Sequence, residues 1–172
     1  IKKNDYLEMD IHSIRNLELV ETLRLKERTY SLIWLLDKCK TAMGSRKLKS
    51  WMLNPLKNKD AINARYDKIE KLNNEFILKD ELKNLLYEVY DIERLSGKVI
   101  NGSLNARDLI QLKKSISVLP EIKKIIEKLG FDYDIDIHEK IFELLEKSLV
   151  EEPPISIKEG YMIKTGFNSE LD

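Results

Sequence analysis

Seven basic residues and no acidic one lie in one short stretch: Lys38, Lys40, Arg46, Lys47, Lys49, Lys57 and Lys59. Clustered cations of this kind neutralise phosphates and release counterions, so nucleic-acid contact is the chemistry they offer. The competing reading is a solvated face, or a surface that meets an acidic neighbouring domain. The formal net charge over 172 residues is zero, so the chain as a whole lacks the charge footprint of a nucleic-acid binder. Within the stretch, Lys38, Lys40, Arg46, Lys47 and Lys49 are the candidates for DNA or interdomain contact.

Other residue patterns come close to known chemistries and fall short of them. Gly97-Lys98-Val99-Ile100-Asn101-Gly102-Ser103 has the glycine spacing of a phosphate-binding loop, but no lysine follows its second glycine and no strand precedes it. Asp132, Asp134 and Asp136 alternate, and Glu143 stands eleven residues after Asp132, as in a calcium-binding loop. The sixth position, where such a loop turns on glycine, is Ile137. Acidic residues ahead of a helix N-terminus, favoured by its dipole, account for the run. His12 and His138 are too isolated for a metal cage or a catalytic triad. Cys39, between Lys38 and Lys40, could be a cation-activated thiol, although a passive, partly buried cysteine is the commoner case. No catalytic, cofactor or metal residue is assigned.

The elements that must position these residues are helical. Leu32 to Leu36 is a dense apolar run, and Thr41 is the natural cap of a helix from Ala42 to Leu53. On that helix Leu48 lies four residues after Gly44, and Trp51 and Met52 lie three and four after Leu48, so all share one face. A glycine on that face suggests a backbone passing close by, and Pro55 ends the helix. The two helices are expected to share one large aromatic-aliphatic core.

Ahead of them, Tyr6 to Asp10 reads as extended, with Ser13 capping a helix that carries Leu17, Val20 and Leu23. Beyond Pro55, Asn58 or Asp60 starts a helix with Ile62, Tyr66, Ile69, Leu72 and Phe76 on one face, and another follows with Leu78, Leu82, Leu85, Leu86 and Val89. Gly97 to Ser103 is a break. Asn105 caps a helix with Leu109, Leu112, Ile116 and Leu119, Pro120 fits a first turn, and Gly130 follows a helix end. A last amphipathic helix carries Ile137, Ile141, Leu144, Leu145 and Leu149. After Pro153-Pro154, Ile155 to Lys158 and Met162 to Lys164 read as two strands of a small hairpin, and Asn168 or Ser169 caps a helix starting at Glu170.

Composition agrees: 42% hydrophobic residues supply a core, 35% are charged, and 6 Gly and 4 Pro leave little room for a turn-rich β architecture. A lone cysteine excludes an internal disulfide and fits a reducing cytosol. With no signal peptide and no apolar run near a membrane span, the chain reads as soluble and cytoplasmic. Starting at Ile1 without a methionine, it reads as a piece excised from a longer protein. The fold expected is all-α, an irregular multi-helix domain over residues 1–172 with a small β hairpin near the C-terminus.

These residues resemble one family. Ser31 to Leu36, Asp37, Thr41-Ala42-Met43-Gly44, Arg46, Leu48, Trp51 and Pro55-Leu56 are similar to a segment of the MutS DNA mismatch-repair proteins, with Cys39 where a threonine is expected. Met9-Asp10, Ser13 and Arg15-Asn16-Leu17-Glu18-Leu19 resemble the same family, Ser13 replacing threonine. So do Asp91 to Leu95, Asn105 to Leu109, Pro153-Pro154, Gly160, Ile163, Gly166 to Asn168 and Glu170-Leu171-Asp172, with Tyr161 where a second glycine often stands. The resemblance spans essentially the whole chain.

It implies the first part of the core, or lever, domain, ending where a helix leaves towards the DNA clamp. Such a segment has no catalysis or cofactor of its own. ATP and magnesium belong to the full-length protein, and mismatched double-stranded DNA is held by other domains. The implied partners are the clamp, connector and ATPase domains of the same chain and a second copy in a homodimer, with no membrane. Because helices returning from the clamp would complete this core, the piece alone is expected to leave apolar surface bare. Two other readings are a free-standing helical interaction module and a helical nucleic-acid-binding domain using Lys38 to Lys59. Without a phosphate loop and its magnesium carboxylates, the chain is expected not to hydrolyse ATP. Phosphate release above background that Lys98→Ala abolishes would overturn this.

Overall fold

Helices dominate a computed structural model that describes residues 5–170 and 172, and no sheet forms among them. The chain divides into two compact units, Ile1–Lys79 and Asp80–Asp172. The first holds α1 (Ile11–Asn16), α2 (Leu32–Leu36), α3 (Ala42–Leu53) and α4 (Lys59–Asn74). Then α5 (Phe76–Tyr87) crosses the boundary. The second unit continues with α6 (Ile92–Ile100), α7 (Ala106–Ser117), α8 (Leu119–Lys128), α9 (Glu139–Ser148) and a 3-10 turn at Ile157–Glu159.

In the first unit α1 is shorter than its sequence suggests. Asp10, not Ser13, is its cap, accepting both the backbone N–H and the hydroxyl of Ser13 at 2.8 Å. The helix stops at Asn16 because Glu18 turns left-handed, with φ 48°. The carbonyls of Glu18 and Leu19 instead accept the N–H groups of Leu32 and Ile33 at 3.0 and 2.9 Å, satisfying the first turn of α2. Leu17, Val20 and Leu23 therefore share no helix. The extended segment at Tyr6 pairs antiparallel with Leu56, through Leu7 N–H to Pro55 O at 2.8 Å and Lys57 N–H to Asp5 O at 3.0 Å.

Helix α3 starts and stops where expected. Thr41 accepts the Gly44 N–H at 2.9 Å, and the helix ends before Pro55. What lies beside Gly44 is not another backbone: a Cβ there would meet the Thr41 hydroxyl at 3.0 Å and the Cys39 Cβ at 3.4 Å. The expected shared core is also absent. Ile33 of α2 is buried at 3% exposure, but α3 buries no residue fully, and Trp34 and Leu35 are 44% and 59% exposed. A five-residue helix turns only one position squarely inward, so the rest of its apolar run faces out.

The second unit is built on α7, which packs against α6, α8 and α9. A capping box starts it: Asn105 accepts the Asp108 N–H at 2.8 Å, and Asp108 accepts the Asn105 N–H at 3.1 Å. Its inner face buries Ile110 and Ile116, and Ile110 packs with Leu145 and Leu149 at the end of α9, flanked by Leu109 and Leu112. Burying each such side chain contributes about 1.5–3 kcal/mol. The buried Ser115 hydroxyl accepts the Tyr90 N–H at 2.9 Å and donates to Gln111 O at 2.8 Å. Helix α6 runs through Gly97, and the break falls at Asn101 and Gly102, where φ is 64°. Helix α8 ends on Gly130 at φ 61°, with Phe131 N–H to Ile126 O and Gly130 N–H to Glu127 O closing the turn.

No C-terminal hairpin forms among the described residues. Residues 157–159 coil into the 3-10 turn, and Ile163 bridges Leu149 instead, with Val150 N–H to Met162 O at 3.1 Å and Lys164 N–H to Ser148 O at 2.8 Å. The backbone at the end of α9, beside the buried Ser148 and Leu149, supplies the partners for residues 162–164. Tyr161, at φ 54°, stands in the left-handed region that glycine adopts freely. Where a helix is expected from Glu170, the chain makes a turn on Asn168, whose side chain accepts the Glu170 N–H at 2.9 Å; Leu171 lies outside the described residues.

Leu32, Trp34, Leu35 and Leu36 together make an apolar surface on α2 that the described residues leave exposed. Hydrophobic dye is expected to bind this chain strongly, or the chain to associate, because an apolar patch in water favours contact. A monomer in sedimentation at micromolar concentration without dye fluorescence would show that the surface is inert.

Candidate functional site

The residues singled out by charge surround a joint centred on Asp37. Asp37 caps the C-terminal end of α2, its N–H donating to Ile33 O at 2.8 Å. Its carboxylate accepts the Ser45 hydroxyl from the first turns of α3, the Arg28 guanidinium from the preceding loop, and the Cys39 N–H at 3.1 Å. Three chain positions converge on one side chain that is 9% exposed. The Ser45 hydroxyl is the main reason its pKa falls from 3.8 to about 2; burial opposes the fall, and Cys39 and Arg28 add to it.

The same carboxylate decides the state of Cys39. Burial first, then the neighbouring Asp37, pushes the thiol upward, so it holds its proton and is no activated nucleophile. The activation expected from Lys38 and Lys40 does not arise: burial and Asp37 outweigh the cation that does act on the sulfur, Arg28.

Around this joint Lys38, Lys40, Arg46, Lys47 and Lys49 are all exposed. On α3, Lys49, Arg46 and Lys47 span an arc of about 160° at 100° per residue. That arc points away from the half-buried Gly44, Leu48 and Met52. Trp51, 40% exposed, marks its border, with the Arg65 guanidinium 3.9 Å above the ring and the Lys47 ammonium 6.0 Å away. Sequence inspection found the lysines but not Arg65, which comes from α4 and has no local signature. It also missed the role of Asp37, although Asp37 and Ser45 both stand in the stretch that carries the resemblance.

The remaining candidates are engaged otherwise. Lys98 pairs with Asp108 at 2.7 Å, tying α6 to α7 rather than approaching a phosphate. Burial works to raise the Asp108 carboxyl, but Lys98 and the Asn105 N–H outweigh it and hold the group below its usual value. Asp136 accepts the His138 N–H at 2.9 Å and lies 3.2 Å from its ring nitrogen. Among the described residues no group of three or more acidic, histidine or cysteine side chains is placed to hold a metal.

The depressed Asp37 pKa sets a stability window. Above about pH 4 both folded and unfolded states carry the charge, and the stabilisation is complete. Below pH 3.8 the unfolded chain takes up the proton first, and stability is lost as pH falls towards the folded value of about 2. Asp37→Asn is expected to lower stability at neutral pH by on the order of 1–2 kcal/mol, mostly through the Ser45 and Cys39 donors, since the half-exposed Arg28 is screened. Urea midpoints measured from pH 2 to 7 should show a shallower acid slope in the variant. An unchanged slope would remove Asp37 from the joint.

Comparison with known proteins follows the same residues. Residues 12–170 match the family model described as MutS domain III. The chain is 50% identical over 175 residues to the DNA mismatch repair protein MutS of Bacillus cytotoxicus, and 50% identical over 173 residues to that of Staphylococcus epidermidis. It is 47% identical over 173 residues to the MutS protein of Staphylococcus aureus. Each comparison covers 98% of this chain and 20% of the relative, so the chain spans about a fifth of the length of the curated relatives it matches. With a capped Thr41 helix, an Asp37 joint and an α7 capping box all standing on the residues of that match, the chain belongs to the MutS domain III family.

Proposed function

We propose that this chain is the structural core segment of a MutS-type DNA mismatch-repair protein, joining the part that binds mismatched DNA to the ATPase part, with no catalysis of its own. The observation that carries this reading is the match over residues 12–170, which runs across the boundary at Lys79 and Asp80 and supports treating 1–172 as one domain. The lever description, and a C-terminal end that continues towards a clamp, belong to this proposal. So do ATP and magnesium as cofactors of the longer protein, a homodimer, the clamp, connector and ATPase domains as partners, and a cytoplasmic location. Among the described residues no helix is long and apolar enough to cross a membrane.

The physical task of such a segment is to transmit a bias. A ligand shifts a conformational equilibrium only by its difference in affinity for the two states, so the connecting helices must hold discrete arrangements. The Asp37 carboxylate suits this role because it fixes the end of α2 to α3 through side-chain donors that can be exchanged without unfolding either helix.

The test is a chimera in which this chain replaces the matching segment of the Bacillus cytotoxicus relative. Suppression of spontaneous mutation close to that of the parent is expected. Asp37→Asn in the chimera should leave nucleotide turnover without DNA nearly unchanged and weaken its response to a mismatched duplex several-fold. A soluble chimera without repair activity, whose turnover and DNA binding are each intact but also uncoupled in the unmutated form, would sink the proposal.

A further inference from the structure

The stretch Gly97 to Ser103, which reads as a break in the sequence, forms the end of α6 and holds the chain's one asparagine followed by glycine, Asn101-Gly102. Asparagine is thermolabile because the nitrogen of the next peptide group can attack its side-chain amide. A glycine in the next position has no Cβ to obstruct that approach. Both residues are exposed. Other asparagines are put to use by the fold: Asn58 and Asn105 accept N–H groups of the helices they cap, and Asn168, followed by Ser169, accepts the Glu170 N–H at 2.9 Å.

The folded turn opposes the attack. Asn101 has ψ 0°, which points the Gly102 nitrogen away from the Asn101 Cβ, and the Gly102 N–H donates to Val99 O at 3.1 Å. Asn101 N–H to Gly97 O at 3.1 Å and Ser103 N–H to Lys98 O at 3.0 Å close the same turn. Little apolar surface holds it shut. Val99 and Ile100 are 53% and 85% exposed, and the buried anchor of α6, Leu95, lies ahead of its last turn. The polar tie of that turn is Lys98 to Asp108 at 2.7 Å, while Gly97 favours the open chain. Helix ends with few buried contacts open at a small cost in free energy.

We infer that Asn101 is a site of spontaneous deamidation, opened to reaction when the last turn of α6 frays. In the open state the Gly102 nitrogen attacks the side-chain carbonyl carbon of Asn101. The bond from that nitrogen to Cγ forms, the Cγ–Nδ2 bond breaks, and ammonia leaves with the proton that the Gly102 nitrogen gave up. Water then adds to either carbonyl of the cyclic imide, giving aspartate or isoaspartate, and nothing is oxidised or reduced. Both products place a carboxylate at the C-terminal end of α6, where the helix dipole disfavours negative charge. Isoaspartate also routes the backbone through the side-chain carbon, so the original turn cannot close again. This inference stands independently of the mechanical role above.

The test incubates the 172-residue chain at mildly alkaline pH, folded or in denaturing urea. Mass spectrometry of the peptide containing Asn101 follows replacement of the amide NH2 by OH, and enzymatic methylation scores isoaspartate. In the folded chain Asn101 is expected to convert ahead of the other asparagines. In urea its conversion should be several-fold faster, because only the open turn reacts. A Cβ on Gly97 meets open space. Gly97→Ala should therefore slow conversion of the folded chain about fivefold, the factor equivalent to a helix-propensity difference of about 1 kcal/mol, and leave the rate in urea unchanged. Asn101→Gln should remove the mass change from this peptide. Circular dichroism checks that both variants are folded. A folded parent that stays unmodified at Asn101 would overturn the inference, whatever the rate in urea. Equal rates in the folded and urea samples, or a folded Gly97→Ala variant that converts as fast as the parent, would overturn it as well.

Discussion

A short helix leaves four N–H and four C=O groups unpaired at its ends, and with helices of five to sixteen residues these ends are a large share of the backbone. Satisfying them is the constraint on which this chain depends. Asp10, Ser31, Thr41, Asn58, Asp91 and Asn105 each turn a side chain back onto the N–H of a first turn. Where no local side chain suffices, remote backbone supplies the partner, as Glu18 and Leu19 do for α2. Each such cap contributes about 1 kcal/mol, a sizeable fraction of the net stability of a domain.

The two units answer the constraint with different means. In the second, caps and core coincide: the Asn105–Asp108 box holds α7 in register, and the same helix carries the buried Ile110, Ser115 and Ile116. Arg107 donates to Pro153 O at 3.1 Å, and Lys113 pairs with Glu146 at 2.8 Å, so polar ties reach from α7 to the C-terminal segment and α9. In the first unit little apolar surface is buried, and the Asp37 carboxylate takes over part of that task. A joint made of donors and one acceptor has direction and can be re-formed, whereas a packed core resists small displacements.

The cap residues were legible because their chemistry is local. Thr41, Asn105 and the Gly130 terminus act within three or four residues, and the sequence places each correctly, while of the two starts it offers for α4 the cap is Asn58. The basic stretch is equally visible, since a run of lysines needs no fold to be recognised. Errors arose where a residue had two local options. Ser13 and Asp10 both suit a cap, and Asp10 prevails because it can engage both Ser13 donors at once. Gly97 reads as a break, yet the glycine that needs a left-handed turn is Gly102.

What the sequence alone determined is the helical class, the starts of α3 and α7, and the family; the helix starts are set by side chains interacting with backbone a few positions away, whereas Phe76, read as the end of one helix, begins α5. Three things were decided by the tertiary structure. Ile163 pairs with Leu149 rather than with the segment at Ile157, Arg65 covers Trp51, and most of the α2 apolar run stays uncovered. The physical reason is shared. Strand pairing, stacking across helices and burial are settled between groups far apart in the chain, and their free energy depends on which surfaces meet, which no local spacing encodes.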